Sequence, residues 1–140
     1  MKFNLNQQDL QKSLNYCQGV IEKRSTLPIL SNVLLDASES KLTITATDLD
    51  LIFINKISNV EILEEGKTTT SSSIMYDIVR KFSSGKKINF SSIGENKIHL
   101  ESEKSDFNLN CISASEFPLT DENFNDNEFF INSKNLLKLL

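Results

Sequence analysis

Alternation constrains this chain most. In KLTITATD, residues 41–48, Leu42, Ile44 and Ala46 take turns with Thr43, Thr45 and Thr47. A side-chain period of two sends one set to a core and the other to water, the pattern of a half-buried strand. The pattern recurs in KINFSSI, NKIHLES and DFNLNCI, with turn residues GEN and EKS between them. In the last segment Phe107, Leu109 and Cys111 share one face, and Asp106, Asn108 and Asn110 the other. LSNVLLDAS and KLTITATD flank a polar hairpin turn, SESK. LDLIFINKI continues as a strand, EEGK reads as a turn, and TTTS favours strand. Residues 2–5 make a further short strand.

Ahead of the C-terminal segment, two stretches carry helical periodicity. In NQQDLQKSLNYCQGVI, Leu10, Leu14, Cys17 and Ile21 fall on one helix face. Asn6 stands where a cap belongs, and Asp9 sits near the positive N-terminal end. Pro28 in RSTLPIL biases Leu27 to an extended conformation after the helix. In SSSIMYDIVRKF, Ile74, Ile78 and Phe82 recur every four residues with Met75 and Val79 beside them, and Ser72 or Ser73 can cap the helix. The expected architecture is α+β: two helices packed on one face of a mostly antiparallel sheet. SASEFPLTDENFNDNE reads as a linker. Beyond it the opening pattern returns at an offset of 126: Phe3 meets Phe129, Leu5 Ile131, Asn6 Asn132, Leu10 Leu136, Lys12 Lys138 and Leu14 Leu140. This reads as one structural unit followed by the start of a second.

At 140 residues, 39% hydrophobic and 24% charged, the chain suits one ordinary domain with its own core. No apolar run nears the roughly 20 residues of a membrane span, and MKFNLNQQDL has no apolar export signal, so a cytoplasmic location is expected. Cys17 and Cys111 are too few for a disulfide framework.

The formal net charge of −4 argues against a polyanion partner until it is divided by segment. The first helical segment carries Lys12, Lys23 and Arg24 against Asp9 and Glu22. The second carries Arg80, Lys81, Lys86 and Lys87 against Asp77. Residues 36–65 carry two positive and seven negative charges, and residues 95–128 two and nine. With both helices on one side, the molecule is polarised and can hold a polyanion locally. A solvated helix surface would show the same counts.

Catalytic and metal motifs fail. Gly66-Lys67-Thr68 ends like a phosphate-binding loop but lacks the glycine five positions earlier, where Glu61 stands. Asp48 and Asp50 could form an acid/base pair, yet carboxylates beside a turn more often face solvent. His99 is the single histidine and falls on the wet face of a strand. TSSSI lacks the elbow of a serine hydrolase. Neither cofactor, metal nor catalytic residue is expected.

RSTLPILSNVLL, TATDLDL, GKTTTSSSIMYDIVR and SASEFP, in that order, resemble the bacterial sliding clamp family, the β subunit of DNA polymerase III. The resemblance spans the whole chain. It implies a clamp domain over residues 1–124, with 125–140 as the linker end and the first strand and helix of a second domain. It implies a non-catalytic processivity factor: a head-to-tail homodimeric ring with helices lining the hole, encircling double-stranded DNA and tethering the replicative polymerase. The polymerase and clamp loader would bind through regions outside these residues, and no membrane is involved. Arg24 matches a DNA-contacting arginine of the family; Lys12, Arg80 and Lys81 follow by position on the lining helices. Ser73 stands where some relatives carry a basic residue. Phe107 and Leu109 match an apolar pair on the edge strand that meets the second subunit, with Lys104 and Ile78 as neighbours. The rival reading is a structural or oligomerisation module without DNA contact.

Overall fold

A computed structural model describes residues 1–21, 26–119 and 130–139. Nine strands form one antiparallel sheet: β1 (Lys2–Asn6), β2 (Asn32–Ser38), β3 (Lys41–Thr47), β4 (Ile52–Ile57), β5 (Val60–Glu64), β6 (Gly66–Ser71), β7 (Lys87–Ile93), β8 (Lys97–Ser102) and β9 (Ser105–Ile112). Their order is β4-β3-β2-β6-β9-β8-β7-β1-β5. Helices α1 (Gln7–Cys17) and α2 (Ser72–Val79) pack on each other, and α3 (Ser133–Leu139) follows near the end.

The sheet is two halves joined at a weak seam. β6 and β9 pair only through Thr69↔Ile112 and Thr70↔Cys111. There the Thr69 hydroxyl donates to the Ile112 carbonyl (2.7 Å) and the Thr70 hydroxyl to that of Asn110 (3.1 Å). The seam stops because β6 becomes α2 at Ser72. At the far ends β5 comes back against β2 and β3, so the halves enclose a core between them. Phe3, Leu5, Ile88, Phe90, Ile98 and Leu100 fill it from one half, and Val33, Leu35, Leu42 and Ile44 from the other. Phe3 stacks on Phe90 across the β1–β7 pair, centroids 4.3 Å apart. Each such fully buried side chain contributes about 1.5–3 kcal/mol of transfer free energy.

The expected hairpin turn has Glu39 and Ser40 both at positive φ (49° and 59°), the conformation whose twist matches the flanking strands. Gly66 lies where β5 hands over to β6, and a Cβ there would stand 2.9 Å from Met1 Cβ. Leu27 is extended before Pro28, as its sequence context predicts.

Several expectations need correction. β5 was not expected as a separate strand; the chain turns at Ser58–Asn59 and carries VEILE to the opposite end of the sheet. α1 ends at Cys17, so Ile21 reaches the core from a turn in which its N–H bonds the Cys17 carbonyl. α2 ends at Val79, short of Phe82. Its cap is Ser71, not Ser72 or Ser73; the Ser71 hydroxyl accepts from the Ile74 N–H (3.4 Å). Its buried face is Met75, Ile78 and Val79, while Ile74 is 53% exposed.

The repeat has a structural counterpart at its cap. Asn6 Oδ1 accepts from the Gln8 N–H (2.8 Å), and Asn132 Oδ1 from the Lys134 N–H (2.9 Å), the same bond 126 residues on. Phe129 and Leu140 lie outside the described residues, as does most of the expected linker. α3 buries none of its residues, and Leu137 and Leu139 are exposed.

Candidate nucleic-acid interface

α1 offers Gln8, Lys12, Asn15 and Tyr16 to solvent, one stripe at helical spacing, because Leu10, Leu14 and Cys17 occupy its core face. α2 offers Ile74, Asp77 and Arg80, the last as its C-cap. Tyr76 joins the two helices. Its hydroxyl donates to Asn15 Oδ1 (3.1 Å), and the Arg80 guanidinium lies 5.8 Å from its ring centroid. Lys12 and Tyr76 line one shallow groove between the helices. Lys12 and Arg80 are therefore both neighbours of Tyr76. Arg80 Nε is 3.4 Å from Asp77 Oδ1, an exposed pair worth little. Among the described residues Lys12 has no carboxylate within ion-pair reach.

Lys81 stands apart from these two. It lines a recess with Phe82, Ser83, Lys104 and Ser105, beside the β8–β9 turn. Lys86 and Lys87 do not add freely to the helical charge either. Lys86 Nζ is 3.1 Å from Glu103 Oε1, and Lys87 Nζ is 3.8 Å from Glu61 Oε2. The Ser83 hydroxyl and then Lys86 hold the Glu103 carboxyl below the usual range. Arg24 lies outside the described residues. Ser73 is half-buried, its hydroxyl donating to Gln18 Oε1 (3.2 Å). The exposed acids Glu39, Glu61, Glu101 and Asp106 are on strands and turns.

The expected subunit-interface residues split by burial. Ile78 and Leu109 belong to the core, and Phe107 is half-buried, edge-on to Phe82 at 5.7 Å. Lys104 is exposed in the β8–β9 turn. β9 is not a terminal strand of the sheet, since it lies between β6 and β8. Because β6 leaves it at Ser72, however, the stretch from Ser105 to Leu109 pairs with a strand on one side only.

The rejected motifs have structural roles. Asp48 Oδ1 accepts from the N–H groups of Asp50 (3.1 Å) and Leu51 (2.7 Å), closing the β3–β4 turn. Lys67 pairs with Asp36 at 2.9 Å. His99 bonds Asn108 on the wet face of β8. Burial pushes the Cys17 thiol up to about 12 and raises that of Cys111, the opposite of an activated nucleophile. No group of three or more His, Cys, Asp or Glu side chains among the described residues could hold a metal. No described helix is long and apolar enough to cross a membrane.

Charge counting missed the neutral members of the groove: Gln8, Gln11, Asn15, Tyr76 and Ser84. The signal was present as amides at 8, 11 and 15, one helical stripe around Lys12.

A nine-stranded sheet folded around a core, with two helices presented side by side and the cations Lys12 and Arg80 on their outer surface, defines the class: a DNA-clamp domain. The family model for the N-terminal domain of the DNA polymerase III beta subunit matches residues 1–121. The chain belongs to that family. It is 32% identical over 141 aligned positions to the beta sliding clamp of Caulobacter vibrioides and 31% identical over 140 to that of Escherichia coli. Each alignment covers all of this chain and 38% of the relative, so the chain spans about two fifths of those proteins' length. A DNA polymerase III beta clamp structure from Bartonella birtlesii superposes with a TM-score of 0.90 at 34% identity, covering 97% of this chain and 36% of that one. A Caulobacter crescentus clamp gives 0.82 at 34%, covering 88% and 32%.

Proposed function

We propose that this chain supplies the first domain of a ring-shaped processivity factor, a non-catalytic DNA polymerase subunit that encircles duplex DNA. The observation that carries this is the pair Lys12 and Arg80, both neighbours of Tyr76 on the helical surface, where Asp77 is the one fully exposed acid of α1 and α2 and most other exposed acids lie on strands and turns. Cations facing a phosphate backbone hold it without reading bases, which suits a protein that must slide. Lys12 and Arg80 are the central contacts. Arg24, just before the described segment that opens with Thr26, joins them by family position. Lys81 sits toward the rim, beside Lys104.

Residues 1–124 form the first clamp domain in this reading, and 125–140 open a second. The matching caps at Asn6 and Asn132 and the reach of the family match to residue 121 support that division. The second subunit meets the stretch of β9 that has one free side, through Phe107 and Lys104, with Leu109 and Ile78 backing them from the core. An unpaired strand edge is a ready template for another chain, and head-to-tail pairing of this kind closes rings. Replicative polymerase and clamp loader bind other parts of the assembled clamp.

Equilibrium binding to short duplexes tests the DNA contact. Shuffling the duplex sequence leaves affinity unchanged, while Arg24→Ala and Lys12→Ala each weaken it and lower its salt dependence. Wild-type affinity in both variants would refute the assignment.

A further inference from the structure

We propose that the groove between α1 and α2 is a phosphodiester subsite in which two neutral amide donors, Gln11 Nε2 and Asn15 Nδ2, act beside the Lys12 ammonium and hydrogen-bond a non-bridging phosphate oxygen of the duplex. This deepens the clamp reading and rests on it. The groove measures about 450 Å³ and is lined by Gln8, Gln11, Lys12, Asn15, Tyr76 and Ser84, with no carboxylate among them.

A carboxamide can offer either end, so what a site presents depends on what holds the other end. Gln7 settles this for Gln11. Gln7 is 2% exposed, and its Nε2 donates to the Val79 carbonyl at 2.9 Å, a bond only the amine end can make. The same Nε2 donates to Gln11 Oε1 at 2.7 Å. The Gln11 oxygen is thereby occupied, leaving its NH2 for the groove. Asn15 repeats the arrangement one turn on, its Oδ1 accepting from the Tyr76 hydroxyl at 3.1 Å. Gln8 is held differently: its Nε2 donates one proton to Ser84 Oγ at 2.7 Å, and none of the described hydrogen bonds engages its Oε1.

Gln11 and Asn15 thus offer donors whose acceptor ends are engaged within the protein, beside the Lys12 ammonium, which has no acceptor. Residues four apart on a helix stand about 5–6 Å from each other, so the two amides are neighbours, with Lys12 on the adjoining row of the helix. Two amide donors beside an ammonium, with no carboxylate among the lining residues, fit an oxyanion. The groove is open and holds a single lysine, with Arg80 5.8 Å from the Tyr76 ring centroid. That suits one phosphate of a long backbone better than a free phosphate dianion. Neutral donors displace no counterions, so they add grip without adding salt dependence.

The test is an NMR titration of the chain, at low salt, with a short blunt duplex and, separately, inorganic phosphate at equal phosphate concentration. The side-chain NH2 resonances of Gln11 and Asn15 are expected to shift with duplex and stay still with inorganic phosphate. Gln11→Met keeps a good helix former and is expected to weaken duplex binding about threefold, with the slope of log affinity against log salt unchanged. Lys12→Met is expected to reduce that slope by about 0.9. Lys12 and Arg80 responding while both amides stay still, or Gln11→Met binding like the parent, would overturn this inference alone. Equal shifts with inorganic phosphate would make it a free-phosphate site and overturn the duplex assignment. If nothing in α1 or α2 responds to duplex, the clamp reading itself fails.

Discussion

Gly66 is required by a neighbour and not by its own backbone. Any side chain there enters the space of Met1 Cβ, 2.9 Å from the position of the added carbon. Met1 is itself tied down, its ammonium 3.0 Å from Glu64 Oε1 and 2.9 Å from Ser92 Oγ. Gly66→Ala should therefore destabilise the fold by about 1–3 kcal/mol, the usual cost of overpacking, read as a lower urea midpoint at constant slope. Cys17 provides a second test at the same scale. Burial raises its thiol from 9.0 to about 12. A group with a raised folded pKa lends stability that is intact below the unfolded value and fades as pH rises through the folded one. Thermal stability should fall between about pH 9 and pH 12 through this group, and Cys17→Ala should flatten that fall. Native Cys17 should also resist thiol reagents that label it after unfolding.

At the scale of elements, α2 is the sharpest case. Ile74–Ile78–Phe82 and Met75–Ile78–Val79 are both acceptable apolar stripes, and periodicity cannot choose between them. The choice falls to tertiary position: the helix leaves β6 at Ser72 already turned so that Met75 meets the core. Met75→Ala should cost about 2–5 kcal/mol and Ile74→Ser less than about 0.5, measured by urea denaturation; the reverse order would restore the first stripe. Strands were legible where alternation was clean, so β7 coincides with KINFSSI and β8 falls within NKIHLES. β5 was not, because VEILE has exposed polar positions and follows β4 after only Ser58 and Asn59. That connection looks like a continuing strand in sequence but crosses between the halves of the sheet. Asn6 was legible as a cap because its side chain acts two residues away. Ser71 was not, because three serines in a row offer the same chemistry.

Over the whole molecule, segment counting located the cationic helices but overstated them. The bonds of Lys86 to Glu103 and Lys87 to Glu61 join residues distant in sequence, and only folding reveals them. What remains is Lys12 and Arg80 around Tyr76, Lys81 toward the β9 edge, and a row of amides that carries no charge to count. A surface of so few cations is weak on an absolute scale. Weak, salt-screened attraction is adequate if retention comes from encirclement. The most direct measurement compares two charge reversals of equal size, each checked for native circular dichroism. Lys12→Glu with Arg80→Glu alters the helical face; Lys41→Glu with Lys97→Glu alters strand positions that face away from the core. Both change net charge by the same amount, so any general repulsion of duplex is shared. The first pair should lower duplex affinity more than about tenfold at low salt, and the second should leave it nearly unchanged. Equal losses from both pairs, or none from the first, would contradict a helical surface as the seat of DNA contact.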